Sequence, residues 1–172
     1  MKIKFLSVLC VLLLMVSCKK NQDPSLLVED KPVDTQKIKV KDIAKIRYTD
    51  YILDSRAGDS IINWTAYKQL HDVVNKLKKA DLTFFKENEK SVRELVRDLK
   101  QTIPVTVNNN AILARIKALE TQLLKLESLY NLSTTTKPEL IDNIQAFLVA
   151  FSNLNLQMNK KIEADNMIIE RP

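Results

Sequence analysis

Apolar residues in the second half of the chain recur at steps of four and three. Ile112, Ile116, Leu119, Leu123, Leu126 and Tyr130 form one such series, and Leu140, Ile144, Phe147, Phe151, Leu154 and Met158 form another. These steps keep one stripe of a helix turned toward the same partner, so each series predicts a long helix with an a/d seam. Asn108 stands where an N-cap would precede the first, and Thr136-Lys137-Pro138-Glu139 has the spacing of a capping box before the second. The short link at 131–135 then predicts an antiparallel hairpin. Leu113, Leu124, Leu129, Ile141 and Leu148 widen both stripes beyond a two-stranded seam, so further helices must cover them.

Three earlier segments carry weaker patterns. Tyr67, Leu70, Val74 and Leu77, with Val73 beside them, mark an amphipathic helix over 60–80. Val92, Leu95, Val96, Leu99 and Ile103 mark another over 86–103, stopped by Pro104. Over 40–56 the signals compete: Lys37 to Val40 alternates with period two, whereas Ala44, Tyr48, Tyr51 and Ser55 fit a helical face. A helix is expected there, with Gly58 at its left-handed C′ position and Asp59 or Ser60 capping the next helix.

Composition fits these elements. There is one glycine in 172 residues and few aromatics, and sheet proteins spend glycine on turns and bulges. The expectation is an all-α helical bundle of about four to five helices, ending in a long antiparallel helical hairpin and occupying 40–172. One domain of ordinary size accounts for the length.

The first eighteen residues have a different character. Met1 to Lys4 is a short basic stretch, and Phe5 to Val16 is an apolar run too short to span a bilayer, as in a signal peptide. The run ends in Leu14-Met15-Val16-Ser17-Cys18, which resembles the lipobox of bacterial lipoprotein precursors, with Met15 where Leu is usual. The resemblance implies cleavage between Ser17 and Cys18 and a covalent lipid on Cys18, giving a signal peptide at 1–17. A lipidated N-terminus and tether at 18–39, rich in charge and holding Pro24 and Pro32, would follow. Cys10 would leave with the signal, so Cys18 would have no disulfide partner. Several acyl chains on one residue would make attachment effectively permanent. Beyond the lipobox, the Lys/Asn/Ile-rich chain is similar in style to small helical lipoproteins of Bacteroidota-type bacteria. Lys19, rather than the Asp that retains lipoproteins at the inner membrane, implies the outer membrane of the cell envelope over the inner one.

Loss of Lys2 and Lys4 from the 27 basic residues leaves 25 against 21 acidic ones, a mildly basic balance. Clustered arginine with interleaved aromatics is lacking, which argues against nucleic acid as a partner. Lys37, Lys39, Lys41, Lys45 and Arg47 form a basic stretch that could touch anionic lipid or lipopolysaccharide, but a solvated face is the favoured reading. His71 is the sole histidine, so neither a zinc set nor paired Glu-x-x-His motifs can be assembled, and no metal or cofactor is expected. His71 with Met158 could ligate haem only in principle, since methionine at a seam position is ordinarily packing. No nucleophile elbow, phosphate loop or glycine-rich fingerprint is present. The expected class is therefore a non-enzymatic interaction or structural domain, tied to a membrane by lipid and working with an envelope protein or another copy of itself. The alternative is a small-ligand or sensor domain, whose candidate pocket lining is Trp64, Tyr67, His71, Phe84 and Phe85.

Overall fold

In the computed structural model, residues 37–167 are described, and all lie in one compact unit. The expected signal and lipobox and most of the expected tether fall outside those residues, as do the last five positions. Six α-helices form among the described residues: α1 (Val40–Ile43), α2 (Ser55–Ser60), α3 (Thr65–Lys78), α4 (Glu89–Gln101), α5 (Asn110–Asn131) and α6 (Lys137–Asp165). Single 3-10 turns occupy Thr83–Phe85 and Val105–Val107, and no strand occurs among the described residues. The chain is all-α, and a helical bundle describes it.

The long helices start where their capping residues dictate. Asn109 accepts the Ile112 amide at 2.8 Å, so the cap of α5 lies one residue later than Asn108. Thr136 accepts the Glu139 amide, and Pro138 sits in the first turn of α6, where its missing N–H costs nothing. Both a/d series turn inward: Ile112, Ile116, Leu119, Leu123 and Leu126 of α5 are buried, with Tyr130 at the end of that series half-buried, and so are Leu140, Ile144, Phe147, Phe151, Leu154 and Met158 of α6. α5 and α6 share the most extensive pairing in the domain, with Asn143 Nδ2 donating to Gln122 Oε1 across it. α4 packs on α5 and α3 on α4, and Lys100 pairs with Glu120 between α4 and α5. Contact between Tyr67 of α3 and Phe151 of α6 closes the ring, with ring centroids 6.0 Å apart. Leu113, expected under another helix, is instead 38% exposed.

The expected helix over 40–56 is corrected. Only α1 and α2 are helical there, and residues 46–54 between them lack regular structure. Gly58 lies inside α2 without a positive φ, and Asp54 caps that helix by accepting the Ala57 amide at 2.7 Å; the next helix, α3, expected to be capped by Asp59 or Ser60, is instead preceded by Trp64 with no side-chain cap. The left-handed positions belong to Ala80 (φ 61°) and Glu87 (φ 49°). Ala80 closes α3 in a Schellman motif, its amide bonding Leu77 O while the Asp81 amide bonds Lys76 O. No helix among the described residues is long and apolar enough to cross a membrane.

Candidate functional site

Residues 46–54 have few neighbours of their own with which to satisfy their backbone, yet a non-regular segment packed on a helix must find partners for its N–H and C=O groups. A row of polar side chains on α6 supplies them. Gln145 Nε2 donates to Arg47 O at 2.9 Å. Ser152 Oγ donates to Thr49 O at 2.5 Å and accepts the Tyr51 amide at 2.8 Å. Asn155 Nδ2 donates to Tyr51 O at 2.9 Å. Asn159 Nδ2 donates to Ile52 O at 2.8 Å, and its Oδ1 accepts the Asp54 amide at 3.1 Å. The segment therefore runs along α6 as a strap held by side chains, in the direction of the helix. Ile46, Tyr48 and Leu53 pack from the strap against the core.

Between strap, α3 and α6 lies an open cleft of about 500 Å³, lined by Asp50 to Leu53 of the strap, Tyr67, His71, Asn75 and Lys78 of α3, and Phe151 and Asn155 of α6. Its wall is aromatic: Tyr67 stacks on His71 at 6.4 Å, and His71 lies 6.2 Å from Phe151. Asn155 joins strap to wall, because its Oδ1 accepts from the Tyr67 hydroxyl at 2.7 Å while its Nδ2 holds Tyr51. Burial pushes the Tyr67 phenol well above its ordinary range, although the Asn155 contact opposes this, so Tyr67 remains a donor. At the rim Lys78 pairs with Asp50 at 2.6 Å. Burial works against the Lys78 charge, but Asp50 and Tyr48 outweigh it and hold the pKa above its usual value. Burial also raises the Tyr48 phenol. Asn75 Nδ2 donates to His71 Nδ1 at 3.1 Å.

The five aromatic and histidine positions singled out from sequence do not line one pocket. Tyr67 and His71 face the cleft. Trp64 lies behind it, 1% exposed and stacked on Tyr67 at 5.6 Å, with no hydrogen-bond partner for Nε1 among the described residues. Trp64 starts α3 rather than sitting on its face, because the helix begins at Thr65 instead of Ser60. Phe85 is fully buried against Phe147, and Phe84 borders a separate depression of about 400 Å³ with Val73, Glu94, Leu95 and Asp98. Asn131 keeps this loop in place, donating from Nδ2 to Phe85 O at 2.7 Å and accepting the Glu87 amide at 2.9 Å.

The residues that make the cleft and its strap, Asp50, Tyr51, Gln145, Ser152, Asn155 and Asn159, escape a search for catalytic motifs. A signal for four of them exists: Gln145, Ser152, Asn155 and Asn159 step by seven, three and four, a polar stripe beside the apolar seam of the same helix. Among the described residues no group of three or more His, Cys, Asp or Glu side chains is placed to hold a metal ion. Cys18 and Ser17 lie outside the described residues.

The fold and site define a strapped all-α bundle with an aromatic cleft under the strap. No family model matches the chain, and no curated protein or solved structure matches it.

Proposed function

We propose that the chain is a lipid-anchored protein of the bacterial cell envelope whose helical domain works by binding a second envelope protein. The Leu14 to Cys18 sequence supports the anchor. The observation that carries the binding reading is a group of exposed apolar side chains toward one end of the bundle, Val105 at 90% exposed, Ile52 at 76% and Ile62 at 57%, while Val40 at 60% and Leu132 at 49% are exposed toward the other end. The positions of Val105, Ile52 and Ile62 converge. Thr106 Oγ1 donates to Ser60 O, which brings the Val105–Val107 turn beside α2, and both elements pack on α6, near whose far end Asn159 holds Ile52. Clustered exposed apolar residues on a folded domain mark interaction surfaces.

The test is purification of the native protein from membranes in mild detergent, with identification of what accompanies it. A stoichiometric companion lost in Val105→Asp and Ile62→Asp variants is expected. No companion, or one indifferent to both substitutions, overturns the reading, and a concentration-dependent dimer would assign the surface to a second copy. The anchor has its own test: Cys18→Ala should abolish acyl labelling, and the mature wild-type chain should begin at Cys18. A mutant that still carries lipid removes this part of the proposal.

A second reading has one specific observation in its favour, the aromatic cleft beneath the strap, whose volume falls within the range small-molecule sites occupy, about 300–1,000 Å³. Trp64, the only tryptophan, stacks on the Tyr67 wall, so a ligand there should change its fluorescence.

A further inference from the structure

Outside the first seventeen residues the chain has a net charge of +4, and its location is uneven. Residues 37–47 contain Lys37, Lys39, Lys41, Lys45 and Arg47 against one acid, Asp42, which is again +4. The remaining residues, 18–36 and 48–172, hold twenty basic and twenty acidic side chains and sum to zero. The whole imbalance sits in eleven consecutive positions.

The structure keeps those charges outward. All five basic residues are exposed, while Ile38 and Ile43 between them are buried and fix the segment to the domain. The one acid is already occupied: Asp42 Oδ2 pairs with Lys137 Nζ at 2.6 Å and accepts the Lys39 amide at 2.9 Å. None of the five basic side chains forms an ion pair within the described residues, whereas Lys78, Arg93, Lys100 and Lys161 elsewhere do. Solvated helix faces elsewhere in this protein balance the two signs; this segment holds five cations to one acid.

Its position gives the charge a direction. The Asp42–Lys137 pair ties α1 to the first residue of α6, and the apolar end bearing Ile52 is held by Asn159, twenty-two residues further along the same helix, or about 33 Å at 1.5 Å per residue. Basic segment and apolar surface thus lie at opposite ends of the domain. Residues 19–36 separate Lys37 from Cys18. Even fully extended, that length spans no more than about 65 Å.

We infer that residues 37–47 form a basic collar that rests on anionic phospholipid headgroups of the bilayer holding the chain, turning the apolar end away from the membrane toward its partner. The inference rests on the proposed lipid anchor and deepens it. Each basic residue held near an anionic surface strengthens the contact about fivefold, so the five together turn a loose tether into a preferred orientation. The contact is electrostatic and must fade with salt, as the Debye length shrinks to about 3 Å at 1 M.

The experiment uses the mature lipidated chain carrying Ala44→Cys. Ala44 is exposed within the collar, and lipid on Cys18 leaves the introduced thiol as the one that reacts. A donor dye on that thiol and an acceptor on lipid headgroups report proximity in vesicles of phosphatidylcholine alone or mixed with phosphatidylglycerol. Energy transfer should rise in the anionic vesicles, return to the neutral value at high salt, and stay at the neutral value when all five basic residues are changed to Gln. A midpoint of thermal unfolding unchanged by the five substitutions shows that the variant is folded. Equal transfer in both vesicle types, or a rise that survives high salt or the five substitutions, overturns the collar while leaving the anchor intact. A chain without acyl mass that washes off neutral vesicles overturns both.

Discussion

Ala80 carries the left-handed turn that ends α3, and an L-residue there pays about 1–2 kcal/mol of steric cost that glycine avoids. Gly58, by contrast, spends its freedom inside α2, where an added Cβ would meet nothing within 4 Å. Two opposite substitutions should therefore both stabilise: Ala80→Gly by up to about 1 kcal/mol, and Gly58→Ala by about 0.5–1 kcal/mol. Urea midpoints check this, and a loss of stability in Ala80→Gly would show that packing of the Ala80 methyl group against the core outweighs the strain of the turn. The core positions should respond on a larger scale. Leu123→Ala and Phe151→Ala each remove a buried seam side chain and should cost about 2–5 kcal/mol, whereas exposed Lys125→Ala should stay within about 0.5 kcal/mol. Thermal unfolding followed by circular dichroism separates them, and equal midpoints would mean the seams do not form the core.

At the level of elements, the strap depends on side chains rather than on a ladder of backbone bonds, so its opening should be separable from unfolding of the bundle. Ser152→Ala removes the acceptor of the Tyr51 amide, and Asn159→Ala that of Asp54. Hydrogen exchange at those two amides should accelerate at least tenfold while amides within α5 change little, and uniform acceleration would show that strap and bundle open together. The α1 clasp should also respond to acid. Lys137 lowers the Asp42 pKa below its ordinary value near 3.8 with help from the Lys39 amide, so the clasp stabilises the folded state above that pH. That contribution disappears as pH falls through the depressed folded value. Chemical shifts of residues 40–44 should titrate in that acidic window, and Lys137→Met should move the transition upward toward 3.8.

For the molecule as a whole, the proposed arrangement assigns one task to each end. The basic collar meets lipid, the exposed apolar residues meet protein, and the four long helices between them keep the two surfaces about 33 Å apart. Val105→Asp belongs to this scale. At 90% exposure its side chain contributes little to the core, so the variant should unfold within about 0.5 kcal/mol of the parent while losing its companion in detergent. Losing stability together with the companion would place Val105 in the fold rather than at an interface. The proposed lipid anchor would raise the encounter rate by confining the domain and its proposed partner to one surface, so the same domain without it should bind more weakly.

Much of the bundle was legible without coordinates because periodicity is a local property. The a/d steps of α5 and α6, the stripe of α3 and the Thr136 cap each depend on residues within a few turns, and the buried positions follow them closely. The basic segment 37–47 is likewise visible in the amino-acid order alone. What the order could not show is the strap, since residues 46–54 are held by partners about a hundred positions away. Nor could it show that Trp64, Phe84 and Phe85 leave the cleft to Tyr67 and His71, because the start of α3 and the fold of the 83–88 loop set those directions. Local spacing determines which face of a helix is apolar; only the packed bundle decides which polar side chains meet an irregular backbone and where a cleft is left open between them.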